Sequence, residues 1–346
     1  MSFQASGSTQ SGSVGGSVGP DAFGTAQEAW LASLSRLHRC GEVVPGVRDP
    51  YSVGSAFGQK SRGTKELSPA SFSIASPRQR LVHSRHRPVD LGYAVANTIW
   101  VLTGSNDADA ISFYNPHGRR FSDDGICLFS APGARIFSSQ NGDQFAKAIE
   151  RLRDDPTTRR AVIQIFSPAD LFTDTRDCSC VVSLQFLLRD GVLLCITYMR
   201  SQSALMVMPY DIFLLTMIHE AVATRLGVEP GAYHHFCGSL HYYDDEEETV
   251  RSVLEERARL MPAMPRMSDA SSVVRERLAA AENDIRQRLT KDIGAAVAVE
   301  QYGLDSYWSE LLRIMISGAR RRHGASYFES ELAGVSELYH PILNAR

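Results

Sequence analysis

No apolar run in the 346-residue chain approaches the roughly 20 residues that a helix needs to cross a bilayer. The first residues also lack the basic-then-apolar order of a secretory leader, so a soluble, cytoplasmic protein without a membrane partner is expected. Positive charge is not in surplus: the net charge is -3 and the isoelectric point about 6.4. That balance argues against a nucleic-acid polymer as the main partner, while leaving room for local basic clusters that bind a single phosphate. Cysteine is sparse, with six in the whole chain (Cys40, Cys127, Cys178, Cys180, Cys195 and Cys237), so reduced thiols are expected rather than a disulfide scaffold. Absent too is a Gly-rich strand-to-helix fingerprint, which excludes a Rossmann array. What remains, 43% hydrophobic and 22% charged residues, is enough to build a full core.

Three regions differ in character. Residues 1 to 24 are rich in Gly, Ser, Gln and Thr and read as a disordered tail, because they bury too little to offset the entropy of ordering. Residues 25 to 346 read as a single domain. Within it, Ala26, Trp30, Leu34 and Leu37 have helical spacing, and the segment from there to about residue 66 reads as loop. Residues 89 to 103 (Leu91, Val95, Ile99, Leu102, with Gly104 beyond) predict a buried helix that contains Asn97.

Ala161 to Phe166 has the length and β-branching of a strand. Val181 to Leu188 and Val192 to Tyr198 are two more strands, joined by Arg189-Asp190-Gly191, whose Asp-Gly pair favours a tight hairpin. Pro209 opens a helix that runs through Val222 to Gly227. Residues 247 to 322 are dominated by charged helical sequence, notably Glu247 to Leu260 and Val273 to Leu289. The expected fold is α/β (α+β): a central, largely antiparallel sheet covered by long helices, with a helical insertion or extension at 247–322.

Chemistry concentrates between residues 155 and 246. Cys180 lies in Cys178-Ser179-Cys180-Val181-Val182-Ser183-Leu184-Gln185. A cysteine at a strand start is ordinarily a small buried hydrophobe. A catalytic one needs guanidinium groups nearby to lower its pKa, and such arginines would also hold an anionic substrate. Cys178 and Cys180 lack the second Cys/His pair that a zinc site requires, so no metal is expected.

Tyr198-Met199-Arg200-Ser201 follows, then Met208-Pro209-Tyr210-Asp211-Ile212 and Gly238-Ser239-Leu240-His241-Tyr242-Tyr243, with Asp155-Pro156 through Arg159-Arg160 upstream. In order and spacing this set resembles the active-site half of thymidylate synthases and their hydroxymethylase relatives, over residues 61 to 246. The resemblance implies the thymidylate-synthase-like fold and Cys180 as the nucleophile that adds to C6 of a pyrimidine nucleoside monophosphate. It implies Arg200 and Ser201 on the phosphate, with Arg159 and Arg160 donated across a homodimer to the partner's phosphate. Arg62, in Ser61-Arg62-Gly63-Thr64-Lys65-Glu66-Leu67, resembles the mobile phosphate-loop arginine. Gln185, His241 and Tyr243 match residues on the base and sugar side, and 5,10-methylenetetrahydrofolate is the implied one-carbon donor.

The departures narrow the reading. Asp211 stands where thymidylate synthases carry an asparagine. A carboxylate only accepts until it is protonated, so Asp211 suits cytosine, accepting from N4 and donating to N3, and the character is closest to CMP/dCMP 5-hydroxymethylases. The alternative is an Asp211 that merely caps its helix. Asn97 replaces a glutamate that moves protons, which an amide cannot do near neutral pH. Pro132 replaces a tyrosine, Ser203 the aspartate that binds the pterin, and the ending Leu343-Asn344-Ala345-Arg346 lacks the apolar closure over folate. Three functions fit these residues: a (deoxy)cytidylate hydroxymethylase, a folate-independent enzyme acting at C5 or C6 through the same adduct, and a nucleotide-binding protein without turnover.

Overall fold

Asp190 and Gly191 both take positive φ, 50° and 77°. That is the two-residue hairpin an Asp-Gly pair favours, and it fixes the register of the two central strands, β6 (Val181–Arg189) and β7 (Val192–Ser203), with Arg189 opposite Val192. The structure is a computed structural model that describes residues 21–48, 61–137, 142–325 and 334–344. Around this hairpin an eight-stranded sheet runs in the order β1-β4-β8-β7-β6-β5, with β3 pairing β8 and β2 pairing β3. The other strands are β1 (Asp21–Phe23), β2 (Glu42–Arg48), β3 (Ser61–Leu67), β4 (Ala70–Ile74), β5 (Val162–Gln164) and β8 (Glu229–Tyr243). Among the described strands only β1 with β4 and β7 with β8 are parallel.

A parallel pair needs a crossover, and α7 (Met208–Leu226) provides it between β7 and β8, opening at Pro209 and ending at Gly227 with φ 73°. Almost every residue of α7 is buried, which is why its sequence is apolar all round rather than on one stripe. Helix α2 (Leu91–Leu102) starts where Asp90 accepts from the Tyr93 amide and carries a largely buried sequence. Helix α1 (Ala26–Cys40) opens with a Thr25/Glu28 capping box. Its Trp30, 0% exposed, donates to the Ala204 carbonyl at 2.8 Å and so ties α1 to the end of β7. Truncating a side chain buried like this costs about 3–5 kcal/mol.

Shorter helices fill the rim: α3 (Ala108–Tyr114), α4 (Pro132–Ile136), α5 (Gln144–Asp154) and α6 (Ala169–Phe172). After β8 come α8 (Glu247–Glu255), α9 (Ser272–Lys291), α10 (Ser306–Arg322) and a last turn, α11 (His340–Leu343). Helix α10 lies on α2 at a point where only glycine fits: a Cβ on Gly92 would stand 2.6 Å from the Gly318 Cα. One contiguous core runs from Ala26 to Leu343. At its centre Arg80 and Glu220 pair at 2.5 Å, both fully buried, and Glu220 also accepts from the Met267 amide at 2.9 Å, so the buried charges are bonded at both ends.

Several expectations need correction. The segment read as loop up to residue 66 contains β2 and β3: β2 tolerates Pro45 and Gly46 through a register shift between Val44 and Val47, and β3 gains its order from pairing with β8. Of the expected tail, residues 1–20 lie outside the described residues, whereas Asp21–Phe23 pair with β4. The strand expected over 161–166 is only Val162–Gln164 long, and the helix expected to reach Leu260 ends at Glu255. All six cysteines are unpaired, and no described helix is long and apolar enough to cross a membrane.

Candidate active site

Cys180 immediately precedes β6, where the strand pairs with the far end of β7. There Arg200 grips the chain around the thiol: its amide donates to the Cys180 carbonyl at 2.9 Å, its Nε to Ser179 O at 2.8 Å and its Nη2 to Cys178 O at 3.0 Å. Nη1 has no protein partner among the described residues, and the side chain is exposed, so the guanidinium retains donors for an oxyanion. Ser201 follows on β7, opposite Ser239 of β8.

Cys180 is an exposed residue, yet the protein packed around its thiol pushes the pKa up to about 11, against the opposing pull of Arg200. The expected lowering by arginines is therefore not achieved by the single chain.

Asp211 sits in the first turn of α7, close enough to Cys180 for the two charges to interact. It does not cap the helix: Val207 holds that position and no side chain caps it. Its Oδ2 accepts instead from Gln202 Nε2 at 3.0 Å. Burial raises the carboxyl to about 7, with the Gln202 bond pulling the other way. At neutral pH the group is thus divided between acceptor-only and donor-bearing forms.

Helix α2 meets this point with Tyr93, which lies within reach of the Asp211 charge. Tyr93, one turn before Asn97, packs edge-on against Tyr210 at 5.3 Å between ring centroids. Burial lifts its hydroxyl to about 12 while a bond from Asn115 and the charge of Arg322 act against the rise. Asn97 is half-buried, and its side chain makes no hydrogen bond among the described residues. Pro132 begins α4 and brings no hydroxyl. Ser203 Oγ accepts from the Met206 amide at 3.3 Å, so the hydroxyl serves the turn between β7 and α7.

On β8, His241 and Tyr243 stand edge to face at 5.3 Å. Arg62 reaches over from β3, 3.8 Å above the Tyr243 ring, and pairs with Asp245. Burial lowers the pKa of His241. Gln185, Arg159 and Arg160 are not brought to this end of the sheet. Gln185 lies five strand residues beyond Cys180, ~16 Å at about 3.3 Å per residue, and donates to Arg159 O at 2.9 Å. Arg159 and Arg160 are exposed there, before β5. Gln202 and Tyr93 were missed by the sequence reading: a lone glutamine in a strand and a tyrosine in an apolar helix carry no signal of a site.

A thiol, a guanidinium fixed beside it and a half-buried carboxyl with a raised pKa are the groups that addition to an electron-poor ring carrying a phosphate calls for. The model of the thymidylate synthase family matches residues 86–284, more than half of the chain. The chain belongs to the thymidylate synthase family. The match reaches into α9.

Similar proteins include the deoxyuridylate hydroxymethyltransferase of Bacillus phage SP01, 32% identical over 207 residues, covering 56% of this chain and 54% of that protein. Thymidylate synthase 1/2 of Encephalitozoon cuniculi is 31% identical over 131 residues, 38% of this chain and 44% of that one. The deoxyuridylate hydroxymethyltransferase of Delftia phage PhiW-14 is 26% identical over 236 residues, 64% of each. The alignment with the first of these relatives thus spans about half of its length.

Proposed function

We propose that this chain transfers a one-carbon unit to C5 of a cytidine nucleotide, as a CMP/dCMP 5-hydroxymethylase. The observation that carries the reading is Asp211: a carboxyl held near the nucleophile with its pKa raised to about 7. Cytosine offers a donor at N4 and an acceptor at N3, and a carboxylic acid matches both. In the proposed reaction the Cys180 sulfur bonds to C6, the C5–C6 π pair shifts toward N3, and the Asp211 proton passes to N3. C5 would then bond to the one-carbon unit and give up its proton; the carbon's bond to its carrier would break, water would supply the hydroxyl, and the sulfur would leave C6 as thiolate while N3 returns its proton to Asp211.

Arg200 and Ser201 would hold the phosphate, joined by Arg62 once it leaves Asp245, and His241 and Tyr243 would meet the sugar. Arg159 and Arg160 are too far along β6 to serve their own chain's Cys180, which supports a homodimer in which they reach the partner's phosphate. Tyr198 and Phe236, 48% and 37% exposed on the sheet, are what such an interface would cover. The added cations would also lower the thiol from about 11.

The one-carbon donor usual in the family, 5,10-methylenetetrahydrofolate, finds a partial match. A cavity of about 450 Å³ is lined by His83, Arg85, Arg259 and His340 among others. His83 Nδ1 and His340 Nε2 are buried without partners among the described residues; with Arg85 and Arg259 they could meet an anionic tail, although the Glu337 carboxyl shares the cavity and none of its lining residues is one of those around Cys180. When bound, the donor would supply a carbon at the formaldehyde level.

A second reading, deoxyuridylate as substrate, rests on the names of the two phage relatives. Mass spectrometry of CMP, dCMP, UMP and dUMP after incubation with enzyme and the folate separates the readings. Gain of CH2O by a cytidylate supports the proposal; gain by a uridylate alone refutes the cytosine assignment.

A further inference from the structure

Gln202 is 2% exposed, and its two ends are treated unequally. Nε2 donates to Asp211 Oδ2 at 3.0 Å, while Oε1 is buried without a hydrogen bond among the described residues. Leaving a buried carbonyl without a donor is destabilising, so an amide with both ends bonded would be the stabler arrangement. The one present keeps the amino end on Asp211.

We propose that Gln202 is a positioning residue for base selection: by donating to Oδ2 it confines the exchangeable proton of Asp211 to Oδ1, so the carboxyl meets the base with its donor and acceptor in fixed order. In a carboxylic acid the carbonyl oxygen is a better acceptor than the hydroxyl oxygen, so the oxygen that receives the amide N–H is the less favoured place for the proton. Oδ1 is then the oxygen that donates when Asp211 is neutral, and Oδ2 the one that accepts. Without Gln202 the proton can occupy either oxygen. The carboxyl can then present the order that suits cytosine or the reverse order that suits uracil. This assignment rests on the cytosine-reading role of Asp211 argued above.

The pair is coupled to the rest of the site. The titratable groups that interact with Asp211 are Cys180 at the start of β6, Tyr93 of α2, and Tyr233 and Cys237 of β8. Gln202 is the group that lowers the Asp211 pKa against burial. Removing the amide therefore shifts the titration upward as well as freeing the proton's location.

The test is calorimetric binding of CMP, dCMP, UMP and dUMP to the full chain and to Gln202→Leu and Gln202→Met, from below to above the Asp211 midpoint. Gln202→Met keeps the length of the side chain without a charge or an N–H donor, so a second variant is at hand should the leucine not fold, and thermal melts establish which variants are folded. Both substitutions are expected to reduce the preference for cytidylate over uridylate about tenfold, a difference of about 1.4 kcal/mol, and to move the pH midpoint of binding upward. A structural role alone would weaken all four nucleotides equally and leave the midpoint in place. Wild-type selectivity and midpoint that survive in a folded variant overturn this assignment alone. A wild-type protein that binds none of the four overturns the functional reading and this assignment with it.

Discussion

Arg200 holds the backbone of the Cys180 loop from the neighbouring strand, donating to Ser179 O at 2.8 Å and to Cys178 O at 3.0 Å. In the proposed reaction, nucleophile and phosphate ligand are therefore one unit: a nucleotide that engages the guanidinium would be placed relative to the sulfur by the same side chain. Arg200→Ala should lose both the phosphate contact and the loop's anchor, and C5 exchange should fall about 100-fold or more. Arg200→Lys should rescue little, since an ammonium cannot span two carbonyls and a phosphate in one plane. Full activity in the lysine variant would show that only charge matters.

Stability should carry the signature of Asp211. Its folded pKa, about 7, lies above the ordinary carboxylate value of about 3.9. The folded state therefore binds more protons than the unfolded state between these values, and stability is lost as pH rises from about 4 to about 7. At about 1.4 kcal/mol per pKa unit the upper bound on this term is about 4 kcal/mol. Asp211→Asn removes the term, so the variant should gain stability relative to wild type at pH 8 and lose that advantage in acid. Denaturant melts at both pH values measure it; parallel wild-type and variant curves would mean that Asp211 is not buried in its neutral form. The same variant should move base preference toward UMP or dUMP.

Arg159 stands at the hairpin end of β6, remote from its own Cys180. In the proposed dimer, Arg159→Ala and Arg200→Ala subunits should each be weak alone, and mixing them should restore one competent site per heterodimer. Mixed subunits no more active than the separate variants would exclude a shared phosphate site.

The contact of Gly92 with Gly318 ties α10 to the helix that carries Asn97. A side chain at Gly318 would meet the Gly92 Cα at 2.6 Å, and overpacking of this kind costs about 1–3 kcal/mol. Gly318→Val should lower the melting temperature by several degrees, about 2–4 °C per kcal/mol for a chain of moderate size. An unchanged melt would mean that α10 rides loosely on α2.

The parts of this molecule that were legible in its sequence are those whose local chemistry and tertiary role agree. Asp190-Gly191 demands a hairpin wherever it falls, and Pro209 with Gly227 brackets α7 by backbone geometry alone. β3 was illegible because Ser61 to Leu67 is mostly polar; its order comes from β8, a partner some 175 residues away in sequence. The same division holds in the site. Cys180, Arg200 and Asp211 announce themselves through spacing, whereas Gln185 shares that spacing yet faces Arg159, because strand direction carries it away from the sulfur. Gln202 was invisible, since its role depends on which oxygen of Asp211 it touches, and no periodicity records that.

The most direct test of the central claim is release of tritium from C5-labelled CMP, dCMP, UMP and dUMP, with and without methylenetetrahydrofolate, against Cys180→Ala. Release requires addition at C6 followed by loss of the C5 proton, so it reports the adduct whatever the final product. Folate-stimulated release from a cytidylate that disappears in Cys180→Ala is the predicted result. Tight cytidylate binding with no release from any nucleotide would contradict it and leave a protein that binds the nucleotide without turning it over.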